Sequence, residues 1–161
     1  MQLQDRIALS QWTLDKQLDW IAAADAKVGV TVAIDTAMLA GLAAAWTEAG
    51  SAHSCMQMAV STCSAAFTVL SLAAAALTFK SRIKGPRDSL FFFGRISEKP
   101  VATYCQELCN ATEQSVLADL ALQIHRNAEI ARDKHRWARR STQLGFAGGF
   151  FLILAAVLLL R

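Results

Sequence analysis

The sequence predicts an all-α integral membrane protein with three transmembrane helices and long cytoplasmic helical extensions. Three apolar stretches carry this prediction, and they cover residues 28–46, 55–79 and 144–160. Each approaches the roughly 17–25 apolar residues that an α-helix needs to cross a bilayer. Charged residues make up only 18% of the 161 residues, against roughly 25% in a soluble domain, and the deficit lies in these stretches.

The segments between the predicted spans set the expected topology. Residues 80–143 contain twelve Lys and Arg against seven Asp and Glu, whereas the loop 47–54 contains neither Lys nor Arg. The positive-inside rule places residues 80–143 in the cytoplasm and residues 47–54 outside. The N-terminus is then cytoplasmic and the C-terminus external, and a bacterial inner membrane is the simplest setting. Residues 1–27 lack the features of a signal peptide, so we expect the first apolar stretch to stay as a membrane helix.

Two polar segments are expected to be helical. In residues 1–27, apolar residues recur at three-, four- and seven-residue steps, which predicts an amphipathic cytoplasmic helix that enters the first span. Residues 101–143 contain neither Gly nor Pro and have a heptad-like apolar stripe, which predicts one long cytoplasmic helix. Between the second span and this helix, Gly85-Pro86 and Pro100 break the chain, so residues 80–100 are expected to form a cytoplasmic loop.

Asp35 is the one charged residue of the first two spans. An ionised carboxylate at this depth costs at least roughly 2.5–3.5 kcal/mol, so such a residue usually faces a bundle interior, an aqueous pathway or a partner. Two roles are open for it: a pathway or subunit contact, or a protonated group that only holds helices together. The second span has no such residue and is expected to be passive.

Small residues occupy every fourth position of the first span and two positions of the third. Residues of this kind allow close approach of membrane helices. They pack either the spans of one chain or separate chains, and with only three spans we favour a homo-oligomer. The predicted helix-packing positions are Gly29, Ala33, Ala37, Gly41, Ala45, Gly145 and Gly149.

Several cytoplasmic arginines are available for ligands. Arg side chains suit bidentate phosphate contacts, which favours a nucleotide or lipid-phosphate site. The run Arg136–Arg140 lies beside the third span and fits membrane headgroups instead. Arg95, Arg126 and Arg132 are therefore the better candidates for ligand binding, although a surface ion pair such as Glu129–Arg132 is an ordinary alternative.

No enzyme is predicted. Ser, His and Asp occur in no recognised nucleophile, metal or phosphate-loop motif. Cys105 and Cys109 share a helix face, but no second pair of ligands accompanies them, so no metal site is expected. Nucleic acid is not expected as a partner, whereas membrane lipid is.

Several short motifs, taken in order, resemble the small transmembrane effector family of Pycsar, the bacterial pyrimidine cyclase system for antiphage resistance. They cover nearly the whole chain. They are Ala24-Asp25-Ala26-Lys27 before the first span, Phe92-Phe93-Gly94-Arg95-Ile96 after the second, and the segments Leu117–Ile124 and Ala128–Lys134 before the third.

The resemblance implies a function. A partner pyrimidine nucleotide cyclase would detect phage infection and make a cyclic pyrimidine mononucleotide, cUMP or cCMP. The effector would respond by disrupting the inner membrane, and abortive infection would follow. Some Pycsar effectors have a separate cyclic-nucleotide-binding domain, and no such domain fits here. An alternative from a different class is a non-toxic membrane anchor or scaffold whose helical extensions recruit a cytoplasmic partner.

Overall fold

A computed structural model describes residues 1–50, 53–79, 86 and 89–159, and every regular element within these ranges is a helix. The helices α1, α2 and α5 each contain a window long and apolar enough to cross a membrane. The predicted fold class, an all-α protein with three membrane-spanning helices, is confirmed. The bounds are α1 Leu3–Glu48, α2 Cys55–Thr78, α3 Phe93–Ile96, α4 Val101–Cys109 and α5 Glu113–Leu159.

The chain divides into two compact units. The first, here called the polar unit, comprises Met1–Ala23 and Ser81–Asp133. The second, here called the spanning unit, comprises Ala24–Lys80 and Lys134–Arg161. Helices α1 and α5 each contribute residues to both units, so the amphipathic helix predicted for residues 1–27 and the first predicted span belong to one continuous helix.

The spanning unit is built by packing one face of each of α1, α2 and α5. In α1 the buried residues Val28, Asp35 and Leu42 follow at seven-residue steps. Heptad spacing of this kind is typical of helices that cross at small angles and interlock along a seam. Two apolar clusters contribute to the core, one around Val28, Ala75 and Ala138, the other around Leu42, Ala155 and Leu159.

The turn between the first two spans uses local backbone chemistry. Gly50, just after α1, has a φ of 80°, which is the left-handed region that favours glycine at a helix end. Helix α2 then begins at a capping box, in which the Ser54 hydroxyl accepts from the Gln57 N–H and the Gln57 side chain accepts from the Ser54 N–H. The Gln57 side-chain amide also donates to the Leu158 carbonyl oxygen at 2.7 Å, which ties α2 to the end of α5.

The single helix predicted for residues 101–143 is wrong, because two helices occupy this segment. Helix α4 ends at Cys109, and α5 begins at Glu113 and continues as one helix to Leu159. The break has a capping signature: the Ser115 N–H donates to the Thr112 hydroxyl at 3.2 Å, and the Thr112 N–H donates to the Ser115 hydroxyl at 3.0 Å. A Thr with a polar partner three residues later starts a helix without any Gly or Pro.

Parts of two predicted loops lie outside the described residues. For the external loop 47–54 these are residues 51 and 52, and for the cytoplasmic loop 80–100 they are residues 80–85, 87 and 88. The break predicted at Gly85 therefore falls outside the described residues. The short helix α3 occupies the later part of the second loop.

The cap at Thr112 generates a stability prediction. Thr112→Ala removes the hydroxyl that accepts from the Ser115 N–H, so the free energy of unfolding should fall by about 1 kcal/mol. The measurement is denaturant or thermal unfolding of the purified protein followed by circular dichroism. Thr103→Ala, at an exposed position within α4, is the matched control. Equal stability of the two variants would contradict the capping role.

Candidate functional site

A row of small polar side chains lies inside the spanning unit. On α2 these residues recur at alternating three- and four-residue steps, and they are buried against α1 and α5. Each has a relative exposure of 5% or less. We call this row, together with its partners on the other two helices, the polar seam. Its members are Asp35 on α1, Ser61, Ser64, Thr68 and Ser71 on α2, and Ser141 on α5.

Asp35 lies at the centre of the polar seam. Its side chain is 1% exposed, and its Oδ2 accepts from the Ser71 hydroxyl at 2.5 Å. The same Ser71 hydroxyl is 2.8 Å from the Ser141 carbonyl oxygen and 3.2 Å from the Ser141 hydroxyl. A hydroxyl group has one proton, so Ser71 donates to one of these oxygens at a time. The structure thus places the predicted residue in the bundle interior, where three helices meet.

Two glycines of α5 make this close approach geometrically feasible. A Cβ added at Gly145 would lie 2.9 Å from Asp35 Oδ1 and 3.3 Å from the Ser71 hydroxyl oxygen. A Cβ added at Gly148 would lie 2.5 Å from the Thr68 hydroxyl oxygen and 3.2 Å from the Thr68 backbone nitrogen. The absence of a side chain at Gly148 also exposes its carbonyl oxygen to the Ser64 hydroxyl, which donates to it at 3.0 Å. Gly145 was predicted as a packing residue, whereas Gly148 was missed.

The second span, which was expected to be passive, contributes most of the polar seam. Helix α2 supplies four of the six residues of the polar seam, since hydroxyl side chains face the core at heptad positions. Three of these hydroxyls donate within the unit. Ser64 donates to the Gly148 carbonyl oxygen, Thr68 to the Ser64 carbonyl oxygen, and Ser71 to Asp35. Within the described ranges, the buried Ser61 hydroxyl has no hydrogen-bond partner. The sequence signal was the three- and four-residue spacing of Ser and Thr in an otherwise apolar helix.

A lateral cleft of about 560 Å³ opens beside Asp35, between α1 and α5. Asp35 and Gly145 lie at its base, and apolar side chains form its walls. Phe146 and Phe150 at its rim are 77% and 61% exposed, so the cleft faces the surroundings of the unit. Its hydroxyl groups are those of Thr31 and Thr142, whose oxygens are 3.5 Å apart. The arrangement therefore combines a single carboxyl group with an apolar opening.

The small-residue ladder of α1 divides into two parts. The members Gly29, Ala33, Ala37 and Gly41 are exposed, and a Cβ added at either glycine would meet no heavy atom of the described chain within 4 Å. Ala45 is half-buried against the cluster around Leu42. On α5, the Gly149 Cβ position lies 3.6 Å from Met38. Packing within one chain thus accounts for Ala45, Gly145 and Gly149 but leaves the other four positions uncovered.

The three arginines predicted to bind a ligand all belong to the polar unit, and each lies beside a carboxylate. Arg95 donates to Glu98 at 2.6 Å, Arg126 donates to Glu129 at 2.8 Å, and the exposed Arg132 lies 3.5 Å from Asp133. The Arg126 hydrogen bond holds the pKa of Glu129 below its ordinary value.

Arg126 and Arg132 are six residues apart on α5, so they point in directions roughly 120° apart. A ligand would have to displace or share these carboxylates, and the role of the three arginines stays a prediction.

A second buried cluster, which sequence reasoning missed as a site, organises the polar unit. Asp119 accepts from the Ser89 hydroxyl at 3.0 Å and from the Leu90 N–H at 2.7 Å. The Ser89 hydroxyl oxygen in turn accepts from the Gln123 side-chain amide at 2.8 Å and from the Phe92 N–H at 2.9 Å. These bonds fix the chain that leads into α3 against α5. Among the described residues, the buried Asp119 Oδ1 has no hydrogen-bond partner.

An ion pair joins α1 and α5 within the spanning unit. The Lys134 ammonium group donates to both carboxylate oxygens of Asp25, at 2.5 and 2.7 Å. The two residues are 109 positions apart in the sequence, so the pair fixes the register of α1 against α5 at this level. Both residues belong to motifs that carry the family resemblance, as do Asp119 and Gln123.

Comparison with known proteins decides the family. A family model described as the Pycsar effector protein domain matches residues 9–161, which is nearly the whole chain. The chain belongs to the Pycsar effector family. The Pycsar effector protein PtPycTM of Propioniciclava tarda is similar to it, with 27% identity over 152 residues, covering 86% of this chain and 72% of the relative. No solved structure matches this chain. Membership of the Pycsar effector family implies an antiphage defence effector.

The glycine contacts of this Pycsar effector generate a matched test. Gly148→Ala should lower the free energy of unfolding by about 1–3 kcal/mol, because the new methyl group overlaps the Thr68 side chain and approaches its backbone. Gly29→Ala should leave stability unchanged or raise it, because its methyl group meets open space and alanine favours the helix. Thermal unfolding in detergent measures both. A neutral Gly148→Ala would show that the seam is less tightly packed than described.

Proposed function

We propose that this chain is an antiphage effector that disrupts the integrity of the bacterial inner membrane and so causes abortive infection. The observation that supports this proposal is the buried Asp35 and its row of hydroxyl groups, which lie between three apolar helices. Ionisable residues within membrane helices are costly and usually mark pathways or switching contacts. The family of the chain gives the biological setting in which such a lesion is useful.

The polar seam suits a membrane lesion that has a closed and an open state. In the closed arrangement its hydroxyls bond to carbonyl oxygens and to Asp35, so it holds the helices together without a channel. If α2 moves away from α1 and α5, the same groups become available to water or ions along much of the bilayer thickness. A purely apolar core would offer no polar lining after such a movement.

We propose that the open state, in which α2 has moved away from α1 and α5, is a homo-oligomer. The face of α1 formed by Gly29, Ala33, Ala37 and Gly41 is uncovered in the single chain. Small residues at four-residue spacing allow two membrane helices to approach until their backbones are in contact. A second copy of the chain is the partner that this proposal names, and its docking on this face would favour the open arrangement of the spanning unit.

The proposed orientation follows the distribution of charge. With Arg136, Arg139 and Arg140 at the inner surface, the N-terminus and the polar unit are cytoplasmic, and the C-terminus is external. The polar unit is then exposed to a cytoplasmic messenger made by a pyrimidine nucleotide cyclase. We propose cUMP or cCMP as the activating ligand, with Arg95, Arg126 and Arg132 as candidates for its phosphate. Binding must favour one assembly over the other, because a ligand shifts only what it binds differentially.

The scaffold alternative has less support. It relied on the stripe from Leu117 to Ala131 as a surface for a cytoplasmic partner. Leu120 and Ala131 are 3% and 6% exposed, and Leu117, Ile124 and Ala128 are half-buried, so much of the stripe is already covered within the chain. A scaffold also gives no reason for a carboxyl group within the first span. It remains the outcome that the experiment below is designed to detect.

The test is the membrane potential of bacteria that express the protein with and without an active cognate cyclase. The wild-type protein should depolarise the membrane only when the cyclase is active. Asp35→Asn, which replaces the ionisable carboxyl group with an amide of the same size, and Gly41→Leu, which blocks the uncovered face, should each reduce the depolarisation by about tenfold or more. A potential-sensitive dye reports the membrane potential, and immunoblots of membrane fractions show that the variants are present.

Ala43→Leu is the matched control, since Ala43 is exposed on α1 outside the small-residue ladder. It should depolarise the membrane as the wild type does. An unchanged potential under an active cyclase would refute the proposed lesion. Full antiphage protection by Asp35→Asn and Gly41→Leu, combined with loss of protection in Leu120→Asp, would favour the scaffold instead.

A further inference from the structure

A second groove of the spanning unit lies between α2 and α5, apart from the cleft at Asp35. Its volume is about 500 Å³, within the range of roughly 300–1,000 Å³ that is common for ligand sites. Small and branched apolar side chains form most of its surface, and Leu70 and Leu77 are 53% and 44% exposed. The lining residues are Leu70, Ala73, Ala74 and Leu77 on α2, with Trp137, Arg140, Gln143 and Leu144 on α5.

The polar groups of this groove all come from one helix. Arg140 lies with its guanidinium carbon 4.8 Å from the centroid of the Trp137 ring, which is a cation–π contact. Gln143, one turn further along α5, adds an amide to the same groove. Among the residues that the structure describes, the ion pairs involve other cations, and none joins a carboxylate to Arg140. The groove therefore has apolar walls with a cation held in place by an aromatic ring.

We infer that this groove binds one anionic phospholipid. One acyl chain lies along the leucines and alanines, and the phosphate accepts hydrogen bonds from the Arg140 guanidinium and the Gln143 amide. The charge selects an anionic headgroup, and planar guanidinium groups suit phosphate oxygens. The apolar walls select a lipid over free phosphate, because a phosphate ion alone would leave them uncovered. The unit also has three helices that could span a membrane, so lipid is the molecule that surrounds it.

The site is specific to Arg140 rather than a property of the basic run as a whole. Arg139 is equally exposed and precedes it by one residue, yet it does not line the groove. The two side chains leave the helix about 100° apart, and only that of Arg140 lines this groove. This inference does not depend on the proposed effector function, and it concerns a different face of α5 from the cleft at Asp35.

The experiment is native mass spectrometry of the purified full-length protein, titrated with phosphatidylglycerol or with phosphatidylcholine of identical acyl chains. The wild-type protein should retain one phosphatidylglycerol in preference to phosphatidylcholine. Arg140→Gln should weaken phosphatidylglycerol binding about fivefold or more, the factor expected from one basic residue at a membrane surface. Arg139→Gln should change it less than twofold. Ala73→Phe, which fills the groove, should abolish the retained lipid, whereas Ala76→Phe, at an exposed position outside the groove, should not.

Three results would overturn the inference. The first is equal weakening by Arg139→Gln and Arg140→Gln, which would show a diffuse charge effect. The second is undiminished binding in Ala73→Phe, which would place the acyl chain elsewhere. The third is displacement of the lipid by millimolar inorganic phosphate, which would show that the headgroup alone is recognised. Circular dichroism of each variant confirms that its helices are intact before the titration.

Discussion

The spanning unit depends on the close contact between Ser71 and Asp35, which brings α1, α2 and α5 together at one level. The contact requires that α5 has no side chain at Gly145, since a Cβ there would lie 2.9 Å from the carboxyl group. One turn further along α5, the absence of a side chain at Gly148 likewise leaves room for Ser64 and Thr68. Because lipid tails provide no hydrophobic force between helices, close packing and interhelical hydrogen bonds must supply the association. The spacing of small and polar residues on α2 and α5, together with Asp35 on α1, is therefore the physical basis of the unit.

The sequence was sufficient to predict what hydropathy and charge determine. Apolar stretches long enough to cross a bilayer gave the three spans, and the cost of a buried carboxylate singled out Asp35. The role of α2 was not predicted, because Ser and Thr barely lower the hydropathy of a helix and carry no charge. The break after Cys109 was missed because only Gly and Pro were treated as helix breakers, whereas Thr112 and Ser115 start a new helix by capping. The cluster of Ser89 and Asp119 joins residues 30 positions apart, and no local pattern specifies such a contact.

The two units place polar groups in their interiors for different reasons. In the polar unit, Asp119 and Gln123 hold the chain that enters α3, and backbone N–H groups complete the network. In the spanning unit, three of the five hydroxyl groups of the seam donate to carbonyl oxygens of neighbouring turns or helices, so each of these bonds can be exchanged for a bond to water with little loss. The uncovered face of α1 and the grooves on either side of α5 then give this unit three surfaces of different chemistry. A small-residue face suits another copy of the helix, a cleft with a carboxyl group suits a pathway, and a groove with a guanidinium suits a lipid.

We propose that the polar seam is closed at rest and becomes accessible to water when the effector is activated. Ser64→Cys in a background without the native cysteines tests it most directly, since Ser64 is 1% exposed and lies midway along α2. The measurement is labelling by a membrane-impermeant thiol reagent, which reacts with the hydrated thiolate. We expect no labelling of this variant at rest and rapid labelling when the cyclase is active. The control is a variant that keeps Cys63 as its single cysteine. Cys63 is exposed on the outer face of the same helix, and it should stay unlabelled in both conditions. Collapse of the membrane potential without any labelling of residue 64 would contradict the account.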